Sequence, residues 1–233
     1  MNEKFKVVNN YDYLTKDFIA EGQNGICYKY NDQVFKKFKN KPMFLFFLKA
    51  LSNINSNSLI LPQEFIYLNE YNSKNILGYL MKYVDGSKLN NLPDLINIKE
   101  LFNNIDLLEK EIKELTIEYG LLLKDVHIDN IIYTNNNEIK IIDNDNDVLN
   151  PNDEAYDNYR YNMKELGLTL LPAFITNKNI SNNISKLYDE CIINAKAKPS
   201  IVLNESILEL EKFTGNNINT LHDYNESMKL IRK

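Results

Sequence analysis

Residues 122–145 read LLKDVHIDNIIYTNNNEIKIIDND. Asp125 is followed five positions later by Asn130, and a second aspartate, Asp143, closes an apolar run. Between them, "NIIYTNNNEIKIID" predicts a short hairpin around a polar turn. As isolated residues, the two aspartates and the asparagine read as turn and cap positions around that hairpin. As an ordered set they have a chemical logic. Phosphoryl transfer needs one carboxylate to orient and deprotonate an attacking hydroxyl. It also needs an Asp and an Asn to hold magnesium against phosphate oxygens.

Composition narrows the function classes around this stretch. A chain of 233 residues, 44% hydrophobic and 25% charged, is long enough to bury a proper core, as one large domain or two lobes. The net charge of −5 gives no general attraction to nucleic acid or to anionic membranes. Arg160 and Arg232 are the only arginines, which argues against an arginine-built phosphate patch. Two cysteines, Cys27 and Cys191, make neither a disulfide framework nor a zinc cluster, and suggest a reducing compartment. The apolar run "MFLFFLKALSNI" is too short to span a bilayer, and the N-terminal "MNEKFKVVNNYDYL" lacks an apolar core of signal-peptide length. A cytoplasmic location without membrane or nucleic-acid partners is expected.

Outward from the opening stretch, the first ninety residues read mostly as strands. "DFIAEGQNGICYKY" and "QVFKKFK" flank the turn "ND" as antiparallel hairpin strands. "KPMFLFFLKALSNI" predicts a helix with Pro42 near its first turn. "LILPQEFIYLNE" and "NILGYLMKYV" predict two more strands. From "IKELFNNIDLLEKEIKELTIEYGLLL" the spacing of Leu and Ile becomes helical, and beyond the hairpin everything from about Tyr156 is mostly helical. The expected class is α+β with two lobes: residues 1–84, an antiparallel sheet with one helix, and residues 85–233, mainly helical, with "MKYVDGSKL" as the hinge.

The order Asp-x-x-x-x-Asn, hairpin, Asp resembles the catalytic loop and magnesium-binding loop of the protein-kinase-like superfamily. That resemblance covers roughly residues 14–172. It implies a two-lobed kinase fold, with ATP and magnesium in the cleft between the lobes and a hydroxyl acceptor for the γ-phosphate. Carried over by position, Asp125 would be the catalytic base, Asn130 a metal ligand and Asp143 the principal metal ligand. Asp145 could add a second carboxylate near the metal. "IAEGQNGICYKY" resembles the glycine-rich loop, with Gly22 and Gly25 able to take positive φ and let the backbone approach the phosphates. Ala20 stands where a first glycine is expected, and Cys27 where a valine is. On the next strand, Val34 and Lys36 share one face, placing Val34 against the adenine and Lys36 on the α- and β-phosphates. Lys37, beside Phe35, is the competing lysine. Met81 and Tyr83, in the segment 81–84, would meet the adenine.

The chain also departs from that pattern. "KPMFLFFLKALSNIN" contains no acid, where a kinase helix offers a glutamate to the strand lysine. Either the pair is absent, or Glu64 or another acid substitutes. Leu123 stands where eukaryotic-type kinases have His, and Asn162 where an Asp is usual. His127, two after the proposed base, resembles the D-x-H-x-x-N of aminoglycoside- and choline-kinase-like enzymes, although a His there can also serve only to hydrogen-bond the loop. The segment after Asp143 is short and has no A-P-E sequence, and about two or three helices are expected after Thr176. The expected activity is therefore phosphate transfer to a hydroxyl, with a protein Ser/Thr ahead of a small molecule. A pseudokinase that only binds nucleotide or protein is the second reading.

Overall fold

Residues 17–38 set up the first sheet as three strands joined by two short turns. The structure is a computed structural model that describes residues 4–42, 45–151, 155–176 and 180–231. In it, β2 (Asp17–Glu21), β3 (Gly25–Tyr30) and β4 (Gln33–Phe38) form consecutive antiparallel pairs. Asn31 in the two-residue β3–β4 turn takes φ 55°, a left-handed conformation that Asn tolerates better than most side chains. β5 (Glu64–Leu68) and β6 (Ile76–Lys82) complete the antiparallel part. β1 (Phe5–Val8) adds to β5 in parallel, so the six-stranded sheet is mixed, in the order β1-β5-β6-β4-β3-β2. One face packs Phe35 with Val8, Leu14, Ile66 and Leu80. Burying a side chain of that size contributes about 1.5–3 kcal/mol.

Helix α1 (Leu45–Leu51) buries Leu48 and Leu51 and lays the Lys49 ammonium over the Phe65, Tyr67 and Tyr71 rings. Its expected start at Pro42 to Phe44 falls partly on residues 43–44, outside the described residues. It ends at Leu51 because the Asn53 side chain takes the Lys49 carbonyl at 2.7 Å while its backbone turns back to Ala50. Residues 59–63, expected to extend the next strand, lie outside it.

The chain divides into two compact units. One runs to Val84 and also holds Asp143–Asp145; the other comprises Asp85–Ile142 and the residues from Asn146 onward. With 46% helix and 23% strand, the class is α+β. In the second unit, α2 (Ile98–Tyr119) starts where the Asn97 side chain accepts the Glu100 N–H at 3.1 Å. It stops at Gly120, whose left-handed φ of 68° few side chains adopt. Leu121–Leu122, read in sequence as more helix, therefore leave as strand β8 and pair with β11 (Val148–Leu149). β7 (Gly86–Lys88), β9 (Ile131–Thr134) and β10 (Ile139–Ile141) make a three-stranded sheet. α3 (Ala155–Phe174), α4 (Asn182–Asn194), α5 (Pro199–Thr214) and α6 (Leu221–Leu230) follow. The Phe102 ring meets Phe174 at 5.2 Å and Tyr224 at 5.6 Å edge to face, joining α2, α3 and α6.

Glu109 on α2 is fully buried. It accepts the Ser200 N–H at 2.7 Å and the Ser200 hydroxyl at 2.6 Å at the start of α5. Burial raises its pKa to about 7, against the Ser200 hydrogen bonds and the Lys198 charge; Asp106 adds to the rise. The folded state thus holds this proton at a pH where the unfolded chain has lost it, and stability declines between pH 4.5 and pH 7. The size is on the order of 3 kcal/mol. Glu109→Gln keeps an acceptor for the Ser200 N–H and a donor for its hydroxyl. Urea denaturation is expected to show it close to wild type at pH 5 and more stable than wild type at pH 8.

Candidate active site

Cross-strand registry gathers the candidate residues of the first unit. Cys27 on β3, Lys36 on β4, Tyr79 on β6 and Phe65 on β5 are successive register partners, so their side chains form one row on one sheet face. Val34 and Met81 are partners in a neighbouring row of the same face. Phe35 and Lys37 face the other way. Lys37 sits against Tyr11, with its Nζ 3.3 Å from the hydroxyl, which leaves Lys36 as the lysine on the Val34 face. Glu64 is the register partner of Leu80, one residue off the Lys36 row, and also faces away from Lys36. The Tyr83 ring lies under the Lys29 ammonium at 4.2 Å.

Lys36 is 4% exposed and forms ion pairs with Asp143 and, at 2.5 Å, with Asp145 Oδ2. The Tyr79 hydroxyl donates to the other oxygen, Asp145 Oδ1. Burial is the largest single influence on Lys36 and pulls its pKa down. The charges of Asp145 and then Asp143, with their hydrogen bonds, outweigh it and leave the pKa above the ordinary lysine value. Burial, then Asp145, pushes the Tyr79 phenol well above its usual range. Burial also raises the Cys27 thiol despite Lys36, so Cys27 is no thiolate nucleophile at neutral pH. Asp143 takes a φ of 62°, an uncommon conformation in which Asp is among the better tolerated residues. The next residue, Asn144, is buried and donates to the Ile60 carbonyl at 3.1 Å.

The glycines of the β2–β3 turn work differently from expectation. Positive φ occurs at Gly120 and Gly215, not at Gly22 or Gly25. Gly25 is needed for close approach instead. A Cβ there would lie 2.6 Å from the Lys37 carbonyl oxygen. The Gly22 N–H donates to the Gly25 carbonyl at 2.9 Å and closes the turn.

In the second unit, α3 holds the loop that carries Asp125. Asn162, fully buried, accepts the Leu123 N–H at 2.8 Å and donates at 2.8 Å to both the Leu121 carbonyl and Thr116 Oγ1. Thr169 Oγ1 donates to the Val126 carbonyl at 2.7 Å, and Asp147 accepts the Lys124 N–H at 2.9 Å. Asp125 is exposed and accepts from Asn146 Nδ2 at 3.2 Å. Asn130 Nδ2 approaches the Asp125 carbonyl at 3.5 Å, and the Asn130 carbonyl accepts the Ile142 N–H at 2.8 Å. His127 is exposed and its ring accepts the Asp129 N–H at 3.3 Å, capping the 3₁₀ turn Ile128–Asn130. Lys124 lies over the Tyr161 ring at 4.5 Å.

Asn162 explains a departure from the kinase-like pattern. An aspartate would serve the Leu123 N–H but has no donor for the Leu121 carbonyl. Asn162→Ala strands both buried backbone groups and is expected to lower stability by about 2–4 kcal/mol. Asn162→Asp is expected to lower it as well, by more than about 1 kcal/mol. Urea denaturation of the two variants checks both values.

No sequence motif marks Tyr79, Asn146 or Asp147. Tyr79 carried one signal, since it stands two before Met81 and shares its strand face. For magnesium the donor chemistry fits. Asp143 is a hard oxygen donor with its side chain 43% exposed, and magnesium takes one or two carboxylates together with phosphate oxygens and water. Among the described residues, no group of three or more His, Cys, Asp or Glu is arranged to hold a metal ion alone, and no helix is long and apolar enough to cross a membrane. No protein-family model and no curated protein matches the chain.

Proposed function

We propose that this chain is an ATP- and magnesium-dependent phosphotransferase of the protein-kinase-like type, with the two-lobed fold that type implies. The observation that carries this reading is the pairing of Lys36 with Asp143, 107 residues apart. A lysine buried on the strand after a glycine-bearing turn meets the aspartate that follows an Asp-x-x-x-x-Asn loop and a hairpin. An exposed strand lysine and a turn aspartate would have no reason to find each other.

The roles follow from the chemistry of each side chain. Lys36 places one positive charge on the α- and β-phosphates, while Val34 and Met81 give the adenine an apolar surface. Asp143 and Asn130 would hold magnesium, which supplies charge against the phosphate oxygens. Asp125 takes the proton of the acceptor hydroxyl as that oxygen bonds to the γ-phosphorus and the bond to the bridging oxygen breaks, releasing ADP. Lys124 engages Tyr161, and His127 caps its own turn. Neither reserves a pocket for a small acceptor, so a protein Ser/Thr hydroxyl remains the first choice.

Incubation with γ-labelled ATP and magnesium, alone and with cell lysate, tests the acceptor. Label is expected on this chain or on a discrete lysate protein. Label confined to the low-molecular-weight fraction would select the small-molecule reading. A binding module without chemistry is favoured by one observation, the absence of any acid on α1. Complete lack of transfer despite nucleotide binding would select that reading.

A further inference from the structure

We propose that Asp145, held by Tyr79, is the positioning residue for Lys36, and that Asp143 is the exchangeable partner that a cation can draw away. This rests on the reading of Lys36 as the phosphate-binding lysine. A buried lysine that must keep its place while phosphates and metal come and go needs one anion that does not leave. Helix α1 offers none, since Leu45–Leu51 contains no Asp or Glu, and Glu64 points to the opposite sheet face. The two carboxylates that do meet Lys36 stand in unequal surroundings. The Asp145 side chain is 6% exposed, and both its oxygens are engaged, Oδ2 by Lys36 and Oδ1 by Tyr79. Asp143 is 43% exposed and reaches Lys36 through Oδ1.

Tyr79 makes the arrangement rigid. It is the direct register partner of Lys36 on the neighbouring strand, 1% exposed, and its ring is fixed edge to face between Phe38 and Phe65, at 5.7 and 6.1 Å. The lysine and the hydroxyl that grips its counter-ion therefore rise from adjacent strands of one sheet, and Asp145 bridges them. Competition from a divalent cation falls on the solvent-facing carboxylate. Lys36 keeps Asp145 and gains freedom toward phosphate oxygens. Asp145 is thus assigned to the lysine rather than to the metal.

The experiment compares Asp145→Asn, Tyr79→Phe and Asp143→Asn in the full chain. The first readout needs no nucleotide: acylation of Lys36 by an amine-reactive ester at one fixed pH, followed by mass spectrometry. Asp145→Asn is expected to raise the Lys36 rate the most of the three variants, because it removes the buried counter-ion, and Tyr79→Phe to raise it less. Asp143→Asn should raise it less than Asp145→Asn does, because the Asp143 carboxylate faces solvent. The second readout is ATP affinity with magnesium, which Asp145→Asn should weaken without changing the KM for the acceptor. Tyr79→Phe removes one hydroxyl from a folded ring and keeps the test alive if Asp145→Asn does not fold. Equal exposure of Lys36 in the Asp143 and Asp145 variants overturns the proposal, as does unchanged protection in both Asp145→Asn and Tyr79→Phe. A wild-type chain that protects Lys36 as described but binds no nucleotide overturns the phosphotransferase reading and, with it, the assigned purpose of the anchor.

Discussion

Asp125→Asn is expected to lower phosphate transfer by about 10²- to 10⁴-fold while leaving ATP affinity almost unchanged. The asparagine has the same shape, so the contact from Asn146 Nδ2 to Asp125 Oδ2 can be kept by the amide oxygen. What is lost is a group able to accept a proton. The loop itself is held by backbone groups, through Asn162 to Leu123 N–H and Thr169 to the Val126 carbonyl, and these contacts do not involve the Asp125 side chain. The rate effect is therefore separable from a folding effect, and a melting curve run beside the ADP-release assay shows the separation. Asp143→Asn is expected to abolish metal-dependent turnover, because the ligand charge disappears. Equal residual rates in wild type and both variants would mean that Asp125 and Asp143 carry no phosphate transfer.

Lys36→Met is expected to reduce stability by about 3–5 kcal/mol, the usual consequence of removing one partner from a buried ion pair. Methionine matches the apolar stem of the lysine, so little packing is lost. The cost comes from Asp145, which stays buried with Tyr79 as its donor and no cation. Because the Lys36 pKa lies above its ordinary value, the pair's contribution is fully present across neutral pH. It is lost only as the solution is made more basic than the lysine range. Urea denaturation at pH 7 measures the difference. A loss below about 1 kcal/mol would mean that the three charged groups are solvated in solution.

The two faces of β4 were legible because strand alternation is local. Val34 and Lys36 had to share one side, Phe35 and Lys37 the other, and Phe35 in the apolar cluster fixes which side is which. Gly120 marks the end of α2 for the same local reason, and its left-handed turn carries Leu121–Leu122 out of the helix into a strand. β1 escaped notice because its four residues are mostly exposed and its partner, β5, lies some sixty residues away in parallel register. The counter-ion of Lys36 was only half legible. Absence of an acid on α1 was plain, and another carboxylate was foreseeable. Its identity depends on Tyr79 being placed beside Lys36 by pairing of β4 with β6, a long-range registry that no local pattern encodes. At Gly25 the motif suggests conformational freedom, yet the constraint there is the Lys37 carbonyl of the paired strand.

A melting series with ATP and magnesium tests the central claim most directly, because it asks only whether the folded chain binds the nucleotide. At a hundredfold excess over the wild-type dissociation constant, linkage predicts about 2.7 kcal/mol of added stability, with a smaller gain in Lys36→Met at that same ATP concentration. No shift at millimolar ATP with magnesium would contradict the account.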